Sequence, residues 1–458
     1  MSRSIEANGR KTTPLSGSRV GDGAGTFRAY YTVVVLTLVY CFAFVDRQIF
    51  NLLVAPIKRD FGVSDVELGY LLGPAFILSY VALGLPAGWC VDRFNRRNLI
   101  MCAGVCWSLG TMAGAFAQSY AGLFGSRLLV GASEALIFPA GFSFIADLFD
   151  RRRLPLATSI FILAPSIGSG LALTGGGLLL QYTEQFEWVT IPLLGRIHGW
   201  QATLLVIGII GLAPVLLLTT IRDAARQAKA SKQTEPQFGF LEGTRHMLTK
   251  GRFYAAFFFG MAFSSMVMLT IGAWAPTYLS RTFALSPAEV GTRYGPLVLL
   301  FGLAGGIASP VLNAWLGRRY PLDSTMRTVI LGPAMIIPLA LILLLAKSQS
   351  IALVCLALLT FTYNFPLSMA SASLQLVTPA RLRGAASAWY FVIGSLIGYG
   401  IGPTAVPIVA KSILHDPSRI GFAMASVAAL FAAIALILCI VAHSGFRRER
   451  LLQSRYSL

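Results

Sequence analysis

Long apolar stretches separated by short polar ones fill most of the chain. A helix of about 20 apolar residues crosses the roughly 30 Å hydrocarbon core of a bilayer. Segments of that length predict transmembrane helices at roughly 29–56, 67–89, 98–118, 121–145, 154–181, 199–221, 253–279, 290–316, 326–346, 350–376, 384–410 and 420–443. The sequence therefore predicts an all-α membrane protein with twelve transmembrane helices in two halves of six.

The polar stretches between and beyond these spans give the domain boundaries. We expect a cytoplasmic N-terminal tail at 1–28, an N-terminal six-helix half at 29–221 and a cytoplasmic linker at 222–252. A C-terminal six-helix half at 253–443 and a cytoplasmic tail at 444–458 complete the prediction.

Composition agrees with this class and the distribution of charge orients it. Only 12% of the residues are charged, 55% are hydrophobic and the mean hydropathy is +0.69, which excludes a soluble globular protein of this size. Of the 37 lysines and arginines, 27 fall in the tails and loops of one side and eight on the other. The positive-inside rule then predicts that both termini are cytoplasmic. Because these residues are scattered among short loops, the net charge of +18 does not indicate nucleic-acid binding.

The two halves resemble each other in two places. GLPAGWCVDRFNRR at 84–97 aligns with GIASPVLNAWLGRR at 306–319, and IGSG at 167–170 aligns with IGYG at 397–400. Internal repetition of six helices is typical of secondary transporters, which hold substrate near the bilayer midplane between the repeats.

The sequence lacks the signatures of other chemistries. The six cysteines lie in or at the ends of apolar runs without metal-ligand spacing, so we interpret them as reduced packing residues. The four histidines lie at span ends or in polar segments, and no G-x-S-x-G or nucleotide-binding G-x-x-x-x-G-K-[ST] motif occurs. We expect neither an enzyme nor a metal site nor a cofactor, with the proton as the coupling ion.

Three motifs together indicate a family. They are VDR at 45–47, GWCVDRFNRR at 88–97 and RLLVGASEA at 127–135. The second resembles the loop motif of the major facilitator superfamily, and the three together are similar to the Spinster-like branch, with Gln48, Leu128 and Ser133 as departures. The resemblance covers essentially the whole hydrophobic chain. It implies the major facilitator fold, alternating-access transport, and functional roles for Asp46, Arg47 and Glu134.

Four ionisable side chains fall at mid-membrane depth, namely Asp46, Arg47, Arg127 and Glu134. Each would cost roughly 2.5–3.5 kcal/mol at a helix centre if left unpaired, so they must pair or face water. Arg127 and Glu134 are two helical turns apart, about 10 Å along one face, which leaves each free to meet a residue of span 1. Asp46 and Arg47 diverge by about 100°, so at most one points straight into a cavity. We expect them to line a water-accessible cavity.

These charges suit a protonation switch. A carboxylate beside an arginine stays ionised, whereas the same group isolated in a dry cavity takes up a proton. We predict that Asp46 and Glu134 couple transport to protons and that Arg47 and Arg127 bind substrate. The alternative is a static ion network that fixes helix packing.

The C-terminal half offers uncharged and aromatic groups for the opposite wall. Tyr363, Asn364, Trp274 and Trp389 are candidate substrate contacts, although aromatic residues in membrane helices more often serve packing. A charged wall facing an aromatic one suits an amphipathic substrate.

The loop after span 2 is a candidate conformational latch. In a major facilitator fold Asp92 comes near the start of span 11, where the helix dipole favours a carboxylate by typically 0.3–1 kcal/mol. Gly88, Arg93, Arg96 and Arg97 complete the motif. The alternative is a plain topology determinant.

The leading hypothesis is a proton-coupled secondary active transporter of amphipathic anionic lipids, for which the resemblance implies lysophospholipids or sphingosine-phosphate-like lipids. The alternative is a major facilitator symporter of a small organic acid gripped by Arg47 or Arg127. We expect a monomer in contact with membrane lipids, multi-pass in a cell membrane, with the bacterial inner membrane favoured.

Overall fold

The structure is a computed structural model that describes residues 23–150, 153–186, 188–191, 195–221, 240–379 and 382–456. Within these residues, twelve helical spans are long and apolar enough to cross a membrane. Their helices are span 1, Gly23–Ile49; span 2, Asp65–Leu72 and Pro74–Arg93; span 3, Arg96–Ala115; span 4, Tyr120–Glu134 and Ile137–Leu148; span 5, Leu154–Ile162 and Ala164–Thr183; span 6, Gly199–Leu217; span 7, Gly251–Phe283; span 8, Pro287–Arg319; span 9, Ser324–Leu344; span 10, Gln349–Val377; span 11, Arg383–Ser412; and span 12, Ile420–Tyr456. The predicted all-α class with twelve transmembrane helices is confirmed.

Short elements join the spans. A helix at Val54–Phe61 precedes span 2, and strands β1 (Val189–Ile191) and β2 (Gly195–Ile197) pair antiparallel between spans 5 and 6. A further helix, Phe240–Thr249, leads into span 7.

Polar side chains at the loop ends start several spans. Ser64 and Ser286 each form a capping box with the glutamate three residues on, Glu67 and Glu289, and so begin spans 2 and 8. Ser348 accepts a hydrogen bond from the Ile351 amide and begins span 10. These caps satisfy backbone N–H groups that apolar surroundings would leave unpaired.

The two ends of the bundle differ in chemistry. We call the end that carries the connections 94–95, 149–153, 320–323 and 378–382 the basic end. We call the other the Asp65 end, after the residue that begins span 2 there. Two pairs of spans, 5 with 8 and 2 with 11, form the main contact between the halves.

The backbones of the two halves are in close contact at the Asp65 end. On span 2, a Cβ added at Gly69 would lie 3.0 Å from the Thr404 Cα of span 11, whereas Gly84 and Gly88 have open space around them. Span 11 has open space at Gly394 in the same way. The backbone contact between spans 2 and 11 is therefore closest at the Asp65 end, and beyond the middle of the bundle the Phe391 ring of span 11 still packs 6.1 Å from Tyr80 and 6.2 Å from Phe138.

Two helix limits differ from the predicted boundaries. Phe240–Thr249 is helical inside the predicted linker, and span 12 continues as helix to Tyr456 through most of the predicted C-terminal tail. The apolar pattern could not show either feature, because both segments are amphipathic or polar. Residues 1–22 and 222–239 of the predicted tail and linker lie outside the described residues.

Close glycine contacts between spans 5 and 8 predict a sensitive site. A Cβ at Gly291 would lie 2.3 Å from the Leu173 carbonyl oxygen, so Gly291→Ala must push the spans apart at the Asp65 end. Overpacking of this kind typically costs about 1–3 kcal/mol. We expect a lower unfolding temperature in detergent. Gly306→Ala on the same helix, where the added Cβ meets open space, is the matched control and should not lower it.

Candidate functional site

A cavity of about 320 Å³ lies between the halves at the middle of the bundle. Its walls come from spans 1, 2, 5, 7, 8, 10 and 11, and most of the lining is apolar. The polar side chains that line it are Arg47, Gln48, Asn51, Ser166, Ser169, Tyr294, Tyr363, Asn364, Ser368 and Tyr399. Among these lining residues Arg47 carries the formal charge, so the cavity is an apolar chamber with a cationic spot.

Arg47 is held by both halves of the protein. One terminal nitrogen pairs with the Glu134 carboxylate of span 4, and the other donates to the Tyr399 hydroxyl of span 11 at 2.9 Å. The guanidinium carbon lies 4.1 Å from the centre of the Phe76 ring and 4.6 Å from that of Phe44. Cation–π contacts of this kind stabilise a poorly solvated arginine without consuming its N–H groups.

The Arg47–Glu134 pair is only partly satisfied. Arg47 Nε and Glu134 Oε1 are buried and have no hydrogen-bond partner among the described residues. The side chain of Glu134 is 1% exposed and that of Arg47 is 10% exposed, so the acid lies behind the base as seen from the cavity. Unpaired polar atoms at a buried ion pair carry a desolvation cost, so this pair is less than fully stabilised.

Asp46 and Arg127 form a second pair inside the N-terminal half. Their nearest oxygen and nitrogen are 3.5 Å apart, and Asp46 also accepts a hydrogen bond from the Thr111 hydroxyl of span 3. Arg127 lies against the Phe50 ring at 4.2 Å and is 1% exposed. The charge pair joins spans 1 and 4, and the Thr111 hydrogen bond adds span 3 to this buried group.

The predicted site residues fall into two groups in the structure. Arg47, Tyr363 and Asn364 line the cavity as proposed, whereas Asp46 and Arg127 are not among the described lining residues. Arg47, which lies about 100° from Asp46 around the helix, is the one of the two that faces the cavity. Asp46 is 2% exposed and Arg127 is 1% exposed, and their roles in proton coupling and substrate binding stay predictions.

The two tryptophans also lie elsewhere. Trp274 is fully buried and donates to the Pro403 carbonyl oxygen at 2.6 Å, which joins spans 7 and 11 at the closed part of the interface. Trp389 donates to the Thr244 hydroxyl at 2.9 Å and so fixes span 11 to the helix before span 7. Both indole N–H groups bond within the C-terminal half, and neither ring is among the described lining residues. Their role as substrate contacts stays a prediction.

The described latch residues bond within the N-terminal half. Arg96 is buried and reaches Asp147 of span 4 at 2.7 Å, and Arg97 donates to the Ile221 carbonyl oxygen at 3.3 Å. Arg93 lies over the Trp89 ring. Gly88 faces open space, and the side chain of Asp92 lies outside the described residues. The latch stays a prediction.

The cavity lining also contains Tyr399, Ser169 and Asn51, which were not predicted as site residues. Gln48 donates to Ser169 at 3.2 Å and accepts from Asn51, which forms an uncharged polar patch beside Arg47. Ser169 and Tyr399 occupy equivalent positions in the IGSG and IGYG repeats, and both line the cavity. The repeat of these two motifs was the feature of the sequence that could have identified Ser169 and Tyr399 as site residues.

An ion cluster closes the Asp65 end. Arg281 of span 7 donates to both oxygens of Asp65 at 2.9 and 2.8 Å, and Lys58 reaches Asp65 at 2.8 Å. Bidentate arginine–carboxylate pairs have strict geometry and are stronger than neutral hydrogen bonds. This bond joins the two halves and shuts the cavity from that end.

Twelve spans in two halves around a central polar spot are the architecture of a secondary transporter. The sequence model of the Major Facilitator Superfamily matches residues 36–403, and the chain belongs to that superfamily.

Proteins similar in sequence to this chain fall into several groups. An MFS-type efflux pump of Mycolicibacterium smegmatis is 27% identical over 441 residues, 95% of this chain and 97% of that protein. Protein spinster of Drosophila melanogaster is 25% identical over 305 residues, 64% of this chain, and the matched region spans only 47% of the fly protein. The "Probable galactarate/D-glucarate transporter GarP" of Escherichia coli is 23% identical over 322 residues, 64% of this chain and 69% of that protein.

Solved structures share the fold. A bacterial homologue of the human lysosomal transporter Spinster, inward-facing and unoccupied, has a TM-score of 0.73 at 22% identity and covers 94% of this chain and 98% of its own. A D-xylose–proton symporter has a TM-score of 0.67 at 16% identity and covers 88% and 97%. The predicted similarity to Spinster-like transporters is confirmed.

Proposed function

We propose that the chain is a proton-coupled secondary active transporter of amphipathic anionic lipids, of the lysophospholipid or sphingosine-phosphate-like class, working by alternating access. The observation that carries the proposal is Arg47, a cavity-lining cation paired through a single bond with the buried Glu134. An anionic head group and the Glu134 carboxylate would compete for the same guanidinium.

The competition gives a coupling mechanism. A proton on Glu134 removes its negative charge and frees Arg47 for the substrate anion, and loss of that proton restores the internal pair. The apolar lining accepts an acyl chain while the head group stays at Arg47. Protonation and substrate binding are thus linked through one side chain.

The orientation belongs to the same proposal. Because basic residues concentrate at the basic end, we place that end and both termini in the cytoplasm. The Asp65 end, joined across the halves by the Arg281–Asp65 pair, then faces outward.

A small hydroxylated organic acid is the second candidate substrate. The uncharged patch of Gln48, Asn51 and Ser169 beside Arg47 offers donors and acceptors that hydroxyl groups would use. The galactarate/D-glucarate transporter among the relatives supports this reading. Arg47 rather than Arg127 would hold the carboxylate, because Arg127 is buried.

The test is uptake into proteoliposomes with and without an imposed pH gradient. We expect uptake of a short-chain lysophosphatidic acid to follow the gradient in the natural protein and to lose that dependence in Glu134→Gln, because the amide cannot exchange a proton. Glu289→Gln is the matched control, since glutamine also serves a capping box and this acid is not among the described lining residues.

The substrate and coupling parts of the proposal separate in this experiment. If D-glucarate moves and the lysolipid does not, the lipid assignment is wrong and the organic acid takes its place. If flux ignores the gradient and Glu134→Gln matches the natural protein, the proton-coupling assignment is overturned.

A further inference from the structure

Tyr399 joins the charge site of the N-terminal half to the C-terminal half. Its hydroxyl accepts a hydrogen bond from one terminal nitrogen of Arg47 while the other terminal nitrogen serves Glu134. Arg47 therefore divides its donors between a carboxylate of its own half and a phenol of the other half.

The position of Tyr399 depends on closure of the Asp65 end. A Cβ added at Gly73 of span 2 would lie 2.1 Å from the Tyr399 carbonyl oxygen, so the two backbones are in direct contact. The Tyr399 ring lies 5.7 Å from Phe76 of the same span. When span 2 and span 11 separate, Tyr399 must withdraw from Arg47.

Other ionisable groups surround Glu134, and all belong to the N-terminal half. Tyr40, Asp46 and Arg47 lie on span 1, Tyr80 on span 2 and Arg127 on span 4 itself. These groups move together with Glu134 when the halves rock. Tyr399 is the described polar contact to this cluster that the rocking motion changes.

We propose that Tyr399 is a positioning residue that controls how fully Arg47 engages Glu134 and thereby makes proton binding depend on closure of the Asp65 end. The inference rests on the proposed function. With Tyr399 in place, one arginine nitrogen is withheld from the acid. With Tyr399 removed, that nitrogen can turn to the idle Oε1 of Glu134, and the pair becomes bidentate. A bidentate pair favours the ionised acid, so protonation then needs a lower pH.

The test uses the full chain in lipid nanodiscs without substrate. Infrared difference spectra recorded across pH follow the C=O band of protonated carboxyl groups, and Glu134→Gln identifies the part of the band that belongs to Glu134. In Tyr399→Phe, which keeps the ring contacts, we expect the midpoint of that part to move lower by about one pH unit, a tenfold weaker proton affinity. Tyr363→Phe removes another cavity phenol from the same half, one that forms no described bond to Arg47, and should leave the midpoint in place.

A second variant probes the same link from a distance. Arg281→Gln loosens the Asp65 end without touching the cavity, and it should move the midpoint in the same direction as Tyr399→Phe. Arg293→Gln, which removes the exposed Arg293–Glu289 pair on span 8, should leave the midpoint in place. The Arg281→Gln measurement tests the proposal even if Tyr399→Phe does not fold.

The outcomes distinguish the inference from the function it rests on. If no part of the band disappears in Glu134→Gln, Glu134 does not bind protons and the proposed coupling fails. If that part exists but neither Tyr399→Phe nor Arg281→Gln shifts it, the role of Tyr399 is overturned while the coupling survives. A merely structural role for Tyr399 would change stability and leave the midpoint unmoved.

Discussion

Replacing Asp46 with leucine should destabilise the protein by about 3–5 kcal/mol, the usual cost of removing one partner of a buried ion pair. Arg127 is 1% exposed and already has two nitrogens without a partner, and Asp46 is the carboxylate it reaches, at 3.5 Å. Without Asp46 the guanidinium would be an unneutralised charge among aromatic rings. We expect a lower free energy of unfolding, measured by denaturant titration of the purified protein.

The double variant Asp46→Leu/Arg127→Met is the control. Replacing both partners of a buried pair by apolar groups of similar volume is often neutral or stabilising, so the double variant should recover most of the loss. If the double variant is as unstable as Asp46→Leu alone, the damage comes from lost packing around span 1 and the charge-pair account is wrong.

Replacing Arg281 with glutamine should open the Asp65 end. The substitution removes two charge-assisted hydrogen bonds to a carboxylate that is 7% exposed. Each bond to a charged group contributes about 1.5–3 kcal/mol, and 1.4 kcal/mol corresponds to a tenfold change in an equilibrium. The two bonds together contribute about 3 kcal/mol or more, so the ratio of closed to open molecules should fall by about a hundredfold or more.

Labelling measures this change. A cysteine placed at Ala273, a cavity residue that is 5% exposed, should react faster with a membrane-impermeant maleimide added from the Asp65 side. Arg293→Gln breaks an exposed pair with Glu289 and an exposed hydrogen bond to Gln349 of span 10, both within the C-terminal half, and should leave the labelling rate unchanged. Equal labelling in Arg281→Gln and the natural protein would show that the ion pair does not hold the halves together.

The architecture followed from the sequence because the bilayer constrains it strongly. Each span must reach about 30 Å and satisfy its own backbone, so length and apolar composition reveal the helices. The helix Phe240–Thr249 was not predicted, because an amphipathic helix outside the membrane lacks the long apolar stretch that reveals a span. Capping serines such as Ser64 could have placed span starts more closely than hydropathy alone did.

The site followed only in part, because pairing depends on how helices are rotated against each other. Spacing along span 4 correctly left Arg127 and Glu134 to meet span 1, and divergence of 100° correctly left one of Asp46 and Arg47 for the cavity. Spacing could not decide which one. The sequence likewise could not show which aromatic candidates face the cavity: Tyr363 lines it, whereas Trp274 is buried between helices.

The helix before span 7 belongs physically to the C-terminal half. Thr244 accepts the Trp389 indole, Lys250 pairs with Glu449 of span 12, and Gly243 approaches Ala385 closely. A chain divided anywhere between 222 and 239 would keep every contact described above. The described contacts that join the halves include the glycine contacts, the Asp65–Arg281 bond and the Arg47–Tyr399 bond. We therefore expect the two halves, made as separate polypeptides in one membrane, to reassemble, and a peptide connection would add only a higher effective concentration of one half near the other.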